Sequence, residues 1–340
     1  MTNSNPSRRR FLQSAALSCA TWATCSSSVD ASDAQKSDDW QTTCSFDKNR
    51  VRIYSNKVAE KVKILQISDS HLYLDDERGD EFKEFSGRMA KAYNNTRNVK
   101  TNEPTNPIAM FRQIADDAKK ARYDALALTG DIISFPTAAG VDFIRETLAE
   151  TETPYYYVSG NHDWHFEGMP GTERDLRDEW IEKRLKSLYP DGANPLIYAR
   201  TVKGVKLLFV DDSIYEILPE QLETLQKELS ANLPTLVFMH IPLYAPGRSV
   251  GFGVGHPGWN AKSDGNYKIE RRPQWPESGH TKTTFDFRET ILQAPNVLGV
   301  FAGHIHIDSL DLCSGKPLHV AQAAVDGSTF ELEIEPYPAN

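Results

Sequence analysis

Cysteine is scarce in this chain: four in 340 residues, with Cys19 and Cys25 both inside the first 25 positions. That excludes a disulfide-built scaffold, because small domains that rely on bridges are dense in cysteine. Long apolar runs are also missing. A bilayer span takes about 20 consecutive apolar residues, whereas the stretch from Ser14 to Cys25 is short and interrupted by Ser, Thr and Cys. Nor is there an excess of basic charge: 47 acidic against 38 basic residues give a net charge of -9. Such a surface repels nucleic acid and anionic lipid at long range and argues against either as a main partner, while a small phosphorylated substrate is compatible with it. Internal repeats and coiled-coil heptads are absent as well. What is present is 39% hydrophobic residues, enough for one large domain or two small ones.

The first 31 residues read as an export signal. Ser7-Arg8-Arg9-Arg10-Phe11-Leu12-Gln13 precedes the weakly apolar stretch, and small residues at Val29-Asp30-Ala31 suit cleavage near Ala31. The pattern resembles a bacterial twin-arginine signal, which implies the twin-arginine machinery as a partner and a periplasmic or extracellular location. A lipoprotein is the alternative, although the residues before Cys19 and Cys25 make a poor lipidation signal. Residues 1–31 hold three Arg and one Asp, so their removal leaves a net charge of -11. A polar linker, 32–45, then leads to one domain over 46–340. Its two cysteines, Cys44 and Cys313, either bridge in an oxidising compartment or stand as separate buried thiols.

Within the domain, strand and helix patterns alternate. Strands are expected at 51–54, 62–67, 123–129, 155–158, 205–210, 236–239, 297–301, 318–324 and 329–334. Helices are expected from Asn106-Pro107 onward, at 141–148, at 172–188 behind a Thr172/Asp175 capping box, at 219–229 and at 285–292. The polar stretch 72–105 reads as an insertion. From Leu243 to Thr284 there is no periodicity. Ordered structureless loops beyond about 12–15 residues are uncommon, so this one is expected to face substrate, with His256, Arg248 and His280 as candidate contacts.

Five short segments carry most of the oxygen and imidazole metal ligands: Asp69-Ser70-His71, Gly130-Asp131, Gly160-Asn161-His162-Asp163, His240, and Gly303-His304-Ile305-His306. Most directly follow an apolar run of strand character. Open α/β sheets gather their ligand sites at the carboxyl ends of strands, so the five segments can converge on one pocket.

These blocks, in this order, resemble the calcineurin-like metallophosphoesterases, whose pattern is D-x-H, GD, GNH[DE], a lone His and G-H-x-H. The resemblance spans residues 62–310 and implies an α/β (α+β) fold, a four-layer αββα sandwich with two mixed β-sheets. It also implies two adjacent metal ions drawn from iron, zinc or manganese. By position, Asp69, His71 and His306 would hold the first, Asp131 would bridge, and Asn161, His240 and His304 would hold the second. His162 would protonate the leaving oxygen with Asp163 orienting its ring, and a metal-bridging hydroxide would attack a phosphomonoester or phosphodiester. Ser134 stands where purple acid phosphatases have a tyrosine ligand, which argues against a charge-transfer iron site.

Two other classes compete. Gly247-Arg248-Ser249-Val250-Gly251 matches the G-x-S-x-G elbow of serine esterases, but Pro246 precedes it and glycine-rich coil follows, where the elbow needs a strand and a helix. The G-x-G-x-x-G at 253–258 contains Pro257 and opens no helix. A non-catalytic interaction module on the same fold is the third reading, and retention of every ligand together with His162 argues against it.

Overall fold

The computed structural model describes residues 39–248, 253–260, 262–263 and 278–338. The expected leader at 1–31 and Ser249 lie outside the described residues, as does part of the 243–284 loop. The first half of the chain forms β1 (Thr42–Asp47), β2 (Arg50–Ser55), β3 (Val62–Ile67), β4 (Thr96–Arg97), β5 (Pro104–Thr105), β6 (Ala125–Thr129) and β7 (Tyr155–Val158). The second half adds β8 (Ile197–Val202), β9 (Val205–Val210), β10 (Thr235–Phe238), β11 (Val297–Ala302), β12 (Ser309–Cys313), β13 (Lys316–Val320) and β14 (Phe330–Pro336). The helices are α1 (Lys83–Ser86), α2 (Met89–Ala92), α3 (Pro107–Ala121), α4 (Ala138–Ala149), α5 (Glu173–Trp180), α6 (Pro219–Ser230) and α7 (Lys282–Gln293).

Two six-stranded sheets result, in the orders β1-β2-β14-β3-β6-β7 and β12-β13-β11-β10-β9-β8. Both are mixed. In the first, β3, β6 and β7 run parallel while β14 runs against β3. In the second, β9, β10, β11 and β13 run parallel, flanked by antiparallel β8 and β12. The period of two along each strand divides the core. Leu207, Phe209, Phe238 and Phe301 pack in one cluster with Ile64, Leu126, Leu128 and Leu332 of the first sheet. Leu208, Val210, Val237 and Val300 point the other way and bury Leu225, Phe287 and Ile291 of α6 and α7. This is the layered α/β sandwich that the sequence implies. Tyr198, Phe209, Phe238 and Phe301 form an aromatic row across four strands, with centroids 5.2, 5.0 and 5.8 Å apart.

Local signals account for several element ends. The Asn106 side chain accepts from Ala109 N and Pro107 opens α3, and Thr172 accepts from Asp175 N at the start of α5. The helix expected to run to 188 leaves α geometry after Trp180, passing through a π turn at Ile181–Leu185 and a 3-10 turn at Lys186–Leu188. Strand β1 begins at Thr42, inside the stretch expected to be linker, because its backbone pairs with β2 although its side chains are mostly exposed. Strands β8 and β12 also escape the sequence reading. Cys44 and Cys313 are free, half-buried thiols on the edge strands of different sheets. Among the described residues no helix is long and apolar enough to cross a membrane.

One polar tie joins the two sheets beneath their carboxyl ends. Gln66 of β3, fully buried, donates from Nε2 to Thr129 Oγ1 at 3.0 Å and to Ala302 O of β11 at 3.0 Å. Gln66→Ala removes both bonds and leaves a void that neither sheet can fill, so about 2–3 kcal/mol of stability is expected to go. Urea unfolding of both proteins measures this; a difference under about 0.5 kcal/mol would show that the tie contributes nothing.

Candidate metal centre

Each ligand segment begins where a buried parallel strand stops. Asp69 and His71 follow β3, Asp131 follows β6, Asn161 follows β7, His240 follows β10 and His304 follows β11. To fold back over the sheet edge at once, the backbone adopts the left-handed region at Asp69 (φ 55°), His71 (46°), Asp131 (51°), His304 (74°) and His306 (57°). Non-glycine residues rarely sit there, and a cluster of them marks a functional site whose strain the surrounding structure must hold. Gly130 (φ 83°) lies where a Cβ would meet His240 Nδ1 at 2.5 Å. Gly303 is packed still more tightly, its hypothetical Cβ falling 1.8 Å from Ser68 Oγ and 2.4 Å from Asp69 Oδ2.

The turns are laced together by hydrogen bonds. Asp69 N donates to Gly130 O (3.0 Å), His71 N to Asp131 O (2.9 Å) and Gly303 N to His240 O (2.9 Å). Across the two sheets, His304 N donates to Asp69 Oδ2 at 2.9 Å; within the first, between the turns after β7 and β6, His162 N donates to Asp131 Oδ1 at 2.8 Å. Ser134, at the purple acid phosphatase tyrosine position, donates its hydroxyl to His71 O at 2.9 Å.

Two ligand groups result. Asp69, His71 and His306 offer one atom each, all within 4.8 Å of one another, and so do Asp131, His240 and His304. In the first group His306 Nε2 lies 3.2 Å from Asp69 Oδ1 and 3.0 Å from His71 Nε2. In the second, His240 Nε2 lies 3.2 Å from Asp131 Oδ2 and 3.2 Å from Asn161 Oδ1. Thr129 O accepts from His240 Nδ1 at 2.8 Å, which fixes the tautomer and leaves Nε2 facing the cleft. Metal–nitrogen and metal–oxygen bonds of about 2.0–2.2 Å let one ion touch atoms roughly 4 Å apart, so each group fits one cation. His162, His304 and His306 are half-exposed, while Asp69, His71, Asp131, Asn161, Asp163 and His240 are buried; the cleft opens over those three.

The electrostatics follow from crowding. Burial works against the charged form of Asp69, but His306 beside it outweighs this and brings the carboxyl down to about 2. Asp131 is likewise buried yet held well below the usual range, chiefly by His240. Burial lowers His71, whereas Asp131 overcomes burial at His240 and raises it to about 10. Asp131 raises His71 and His306 as well, so its charge reaches both groups.

Asp163 is expected to orient the His162 ring. Its bonds run to backbone: Oδ2 accepts from Asp131 N (2.9 Å) and Gly160 N (2.7 Å), and Oδ1 from Ile133 N (2.9 Å). These bonds fix the turn that carries His162. Burial and the Asp131 charge push this carboxyl up to about 7. Asp212, not singled out from the sequence, does the same for the second sheet, accepting from His240 N and Ile241 N at 3.1 Å each; burial raises it to about 8. It stands directly behind β9, so the strand-end rule that marks the other segments also reaches it.

The three candidate substrate contacts of the 243–284 loop do not join either group. Arg248 forms an ion pair with Asp311 and donates to Leu318 O at 3.3 Å. His280 is buried, with Nδ1 2.8 Å from Glu216 Oε1. In both, these polar contacts tie the loop to the rest of the domain. His256 packs edge-on to Tyr244 at 4.3 Å and accepts from Gly258 N. A methyl group at residue 303 is expected to break the centre while sparing the core: Gly303→Ala should retain far-ultraviolet dichroism but bind fewer metal ions. Full metal content in the purified variant would show that the close approach of Ser68 and Asp69 is dispensable.

The sequence profile of the calcineurin-like phosphoesterase family matches residues 62–308. A protein of Psychrobacter arcticus described as a probable cyclic nucleotide phosphodiesterase is 22% identical over 198 residues, covering 56% of this chain. The chain spans 59% of that relative's length. Among solved structures, a dimetal phosphatase from Danio rerio is 14% identical with a TM-score of 0.49, covering 79% of this chain and 89% of its own. The purple acid phosphatase PPD1 of yellow lupin, Lupinus luteus, is 13% identical with a TM-score of 0.46, covering 84% and 56%. With all five ligand segments inside the matched span, the chain belongs to the calcineurin-like phosphoesterase family.

Proposed function

We propose that this chain is an exported phosphoester hydrolase working with two metal ions, and that its substrate is a small phosphomonoester or phosphodiester. One observation carries the reading. Two histidine–carboxylate groups stand side by side at the carboxyl ends of two sheets, with half-exposed His162 fixed next to Asp131 by its own backbone N–H. Nitrogen and oxygen donors of this mixture suit iron, zinc or manganese. Asp69, His71 and His306 would hold one ion, and Asn161, His240 and His304 the other, with Asp131 between them. Bound there, the ions would lower the pKa of a water and neutralise phosphoryl oxygens.

The chain's own residues supply the rest. Asp163 and Asp131 hold the Gly160–Asp163 turn so that the His162 ring stands at the rim, where it delivers a proton to the leaving oxygen. Thr129 O and Asp212 keep His240 in one tautomer and one place. The Psychrobacter relative's description favours including cyclic phosphodiesters among the substrates tested. The export reading rests on Arg8-Arg9-Arg10-Phe11-Leu12 and the apolar stretch behind it.

Chelator treatment is expected to abolish turnover, and manganese, zinc or iron to restore it. Asp131→Asn and His304→Ala should lower kcat/KM at least about 1,000-fold with loss of bound metal; full activity in either would remove the two-ion reading. His162→Ala should cost about 100-fold or more on alkyl esters, whose leaving groups need a proton, and little on nitrophenyl esters. An equal loss on both refutes its role as the acid.

A further inference from the structure

The two buried imidazoles that face the cleft are held in different ways. His240 donates Nδ1–H to Thr129 O, the usual device that fixes a ligand ring through its second nitrogen. His71 has no such bond. Its Nδ1 is buried without a hydrogen-bond partner among the described residues, although its side chain is fully enclosed. What lies against the ring is Tyr93, stacked at 4.1 Å between centroids with planes 24° apart. His162 and His306 meet the same ring edge-on at 5.2 and 4.9 Å.

Tyr93 follows α2 in the 72–105 insertion, and the insertion is fastened on several sides. Arg88 pairs with Glu167, close behind the His162 turn. Arg78 pairs with Asp142 of α4 at 2.9 Å. Thr96 Oγ1 donates to Val325 O at 2.9 Å, and Val325 N in turn donates to Asp69 O at 3.2 Å. The ring is therefore presented to His71 by a segment anchored to the same turns that carry Asp69 and His162.

We propose that Tyr93 is a positioning residue of the Asp69–His71–His306 group: its ring face, stacked on His71, replaces the missing hydrogen bond and keeps Nε2 turned to the cleft. This rests on the two-ion reading above. A flat neighbour at stacking distance blocks rotation of the imidazole out of its plane. The role assigned here belongs to the ring face, so phenylalanine should serve and leucine should not.

The test uses the full chain and its Tyr93→Phe and Tyr93→Leu variants, stripped of metal and titrated calorimetrically with Mn²⁺. Visible absorption of the Co²⁺-loaded proteins gives a second readout. The parent and Tyr93→Phe are expected to bind two ions with matching affinities. Tyr93→Leu should keep one affinity and lose roughly tenfold in the other, with altered Co²⁺ bands and activity regained at high Mn²⁺. Arg88→Ala, which frees the insertion without touching the ring, should weaken the same ion by less. Parental affinities and spectrum in Tyr93→Leu would overturn the assignment, as would a Tyr93→Phe as weak as Tyr93→Leu. A parent that binds fewer than two ions sinks the two-ion reading; a parent that binds two beside an unaffected Tyr93→Leu sinks only this inference.

Discussion

The centre depends on one backbone constraint: chain segments leaving parallel strands must reverse within two residues so that their side chains turn back over the sheet edge. Asp69, His71, Asp131, His304 and His306 meet it in the left-handed region, where each non-glycine residue costs of order 1–3 kcal/mol. Nothing within one turn could hold that strain. It is held between turns, by the bonds from Asp69 N to Gly130 O, His71 N to Asp131 O and Gly303 N to His240 O. The shared core of the two sheets keeps those turns in register. Fold and site are thus the same problem, since the bonds that position the ligands also close the carboxyl end of the sandwich.

Much of this was readable from residue order. A largely buried parallel strand appears as a short apolar run, and Val62–Ile67 and Val205–Val210, together with the edge strand Tyr155–Val158, have the bounds that the runs suggest. Polar residues directly behind such runs have only the sheet edge to occupy, which is why Asp69, Asp131, Asn161, His240 and His304 could be gathered into one place before any coordinates. Strand β1 was hidden because it is an edge strand: Thr42–Asp47 exposes nearly every side chain, so its membership is written in backbone bonds to β2 and not in hydrophobicity. Strand β12 has the same difficulty, with Leu310 and Leu312 pointing to solvent.

Side-chain partners outside the motifs were the least legible. Arg248 and His280 looked like substrate contacts because they lie in an irregular, glycine-rich segment. Their contacts with Asp311 and Glu216, 63 and 64 residues away, are visible only in the fold. Asp212 shows the opposite error: it obeys the strand-end rule but makes its bonds to backbone amides, a role that no motif records. Tyr93 sits in a polar stretch with no apolar periodicity, and only the fold brings its ring to His71.

The site therefore divides by depth. Its floor, made of Asp69, His71, Asp131, Asn161 and His240, is buried, and the side chains of Asp69, Asp131 and His240 are bonded to backbone, so it can tolerate little change. Its rim, made of His162, His304, His306 and Tyr93, is half-exposed and carried on turns or on the insertion. On the two-ion reading, such a floor would engage cations and the phosphoryl group, which every phosphoester shares, and would not by itself distinguish one ester from another. Groups outside that floor would have to tell esters apart, and the insertion at 72–105 reaches the rim through Tyr93, whose ring lies 5.6 Å from that of His306.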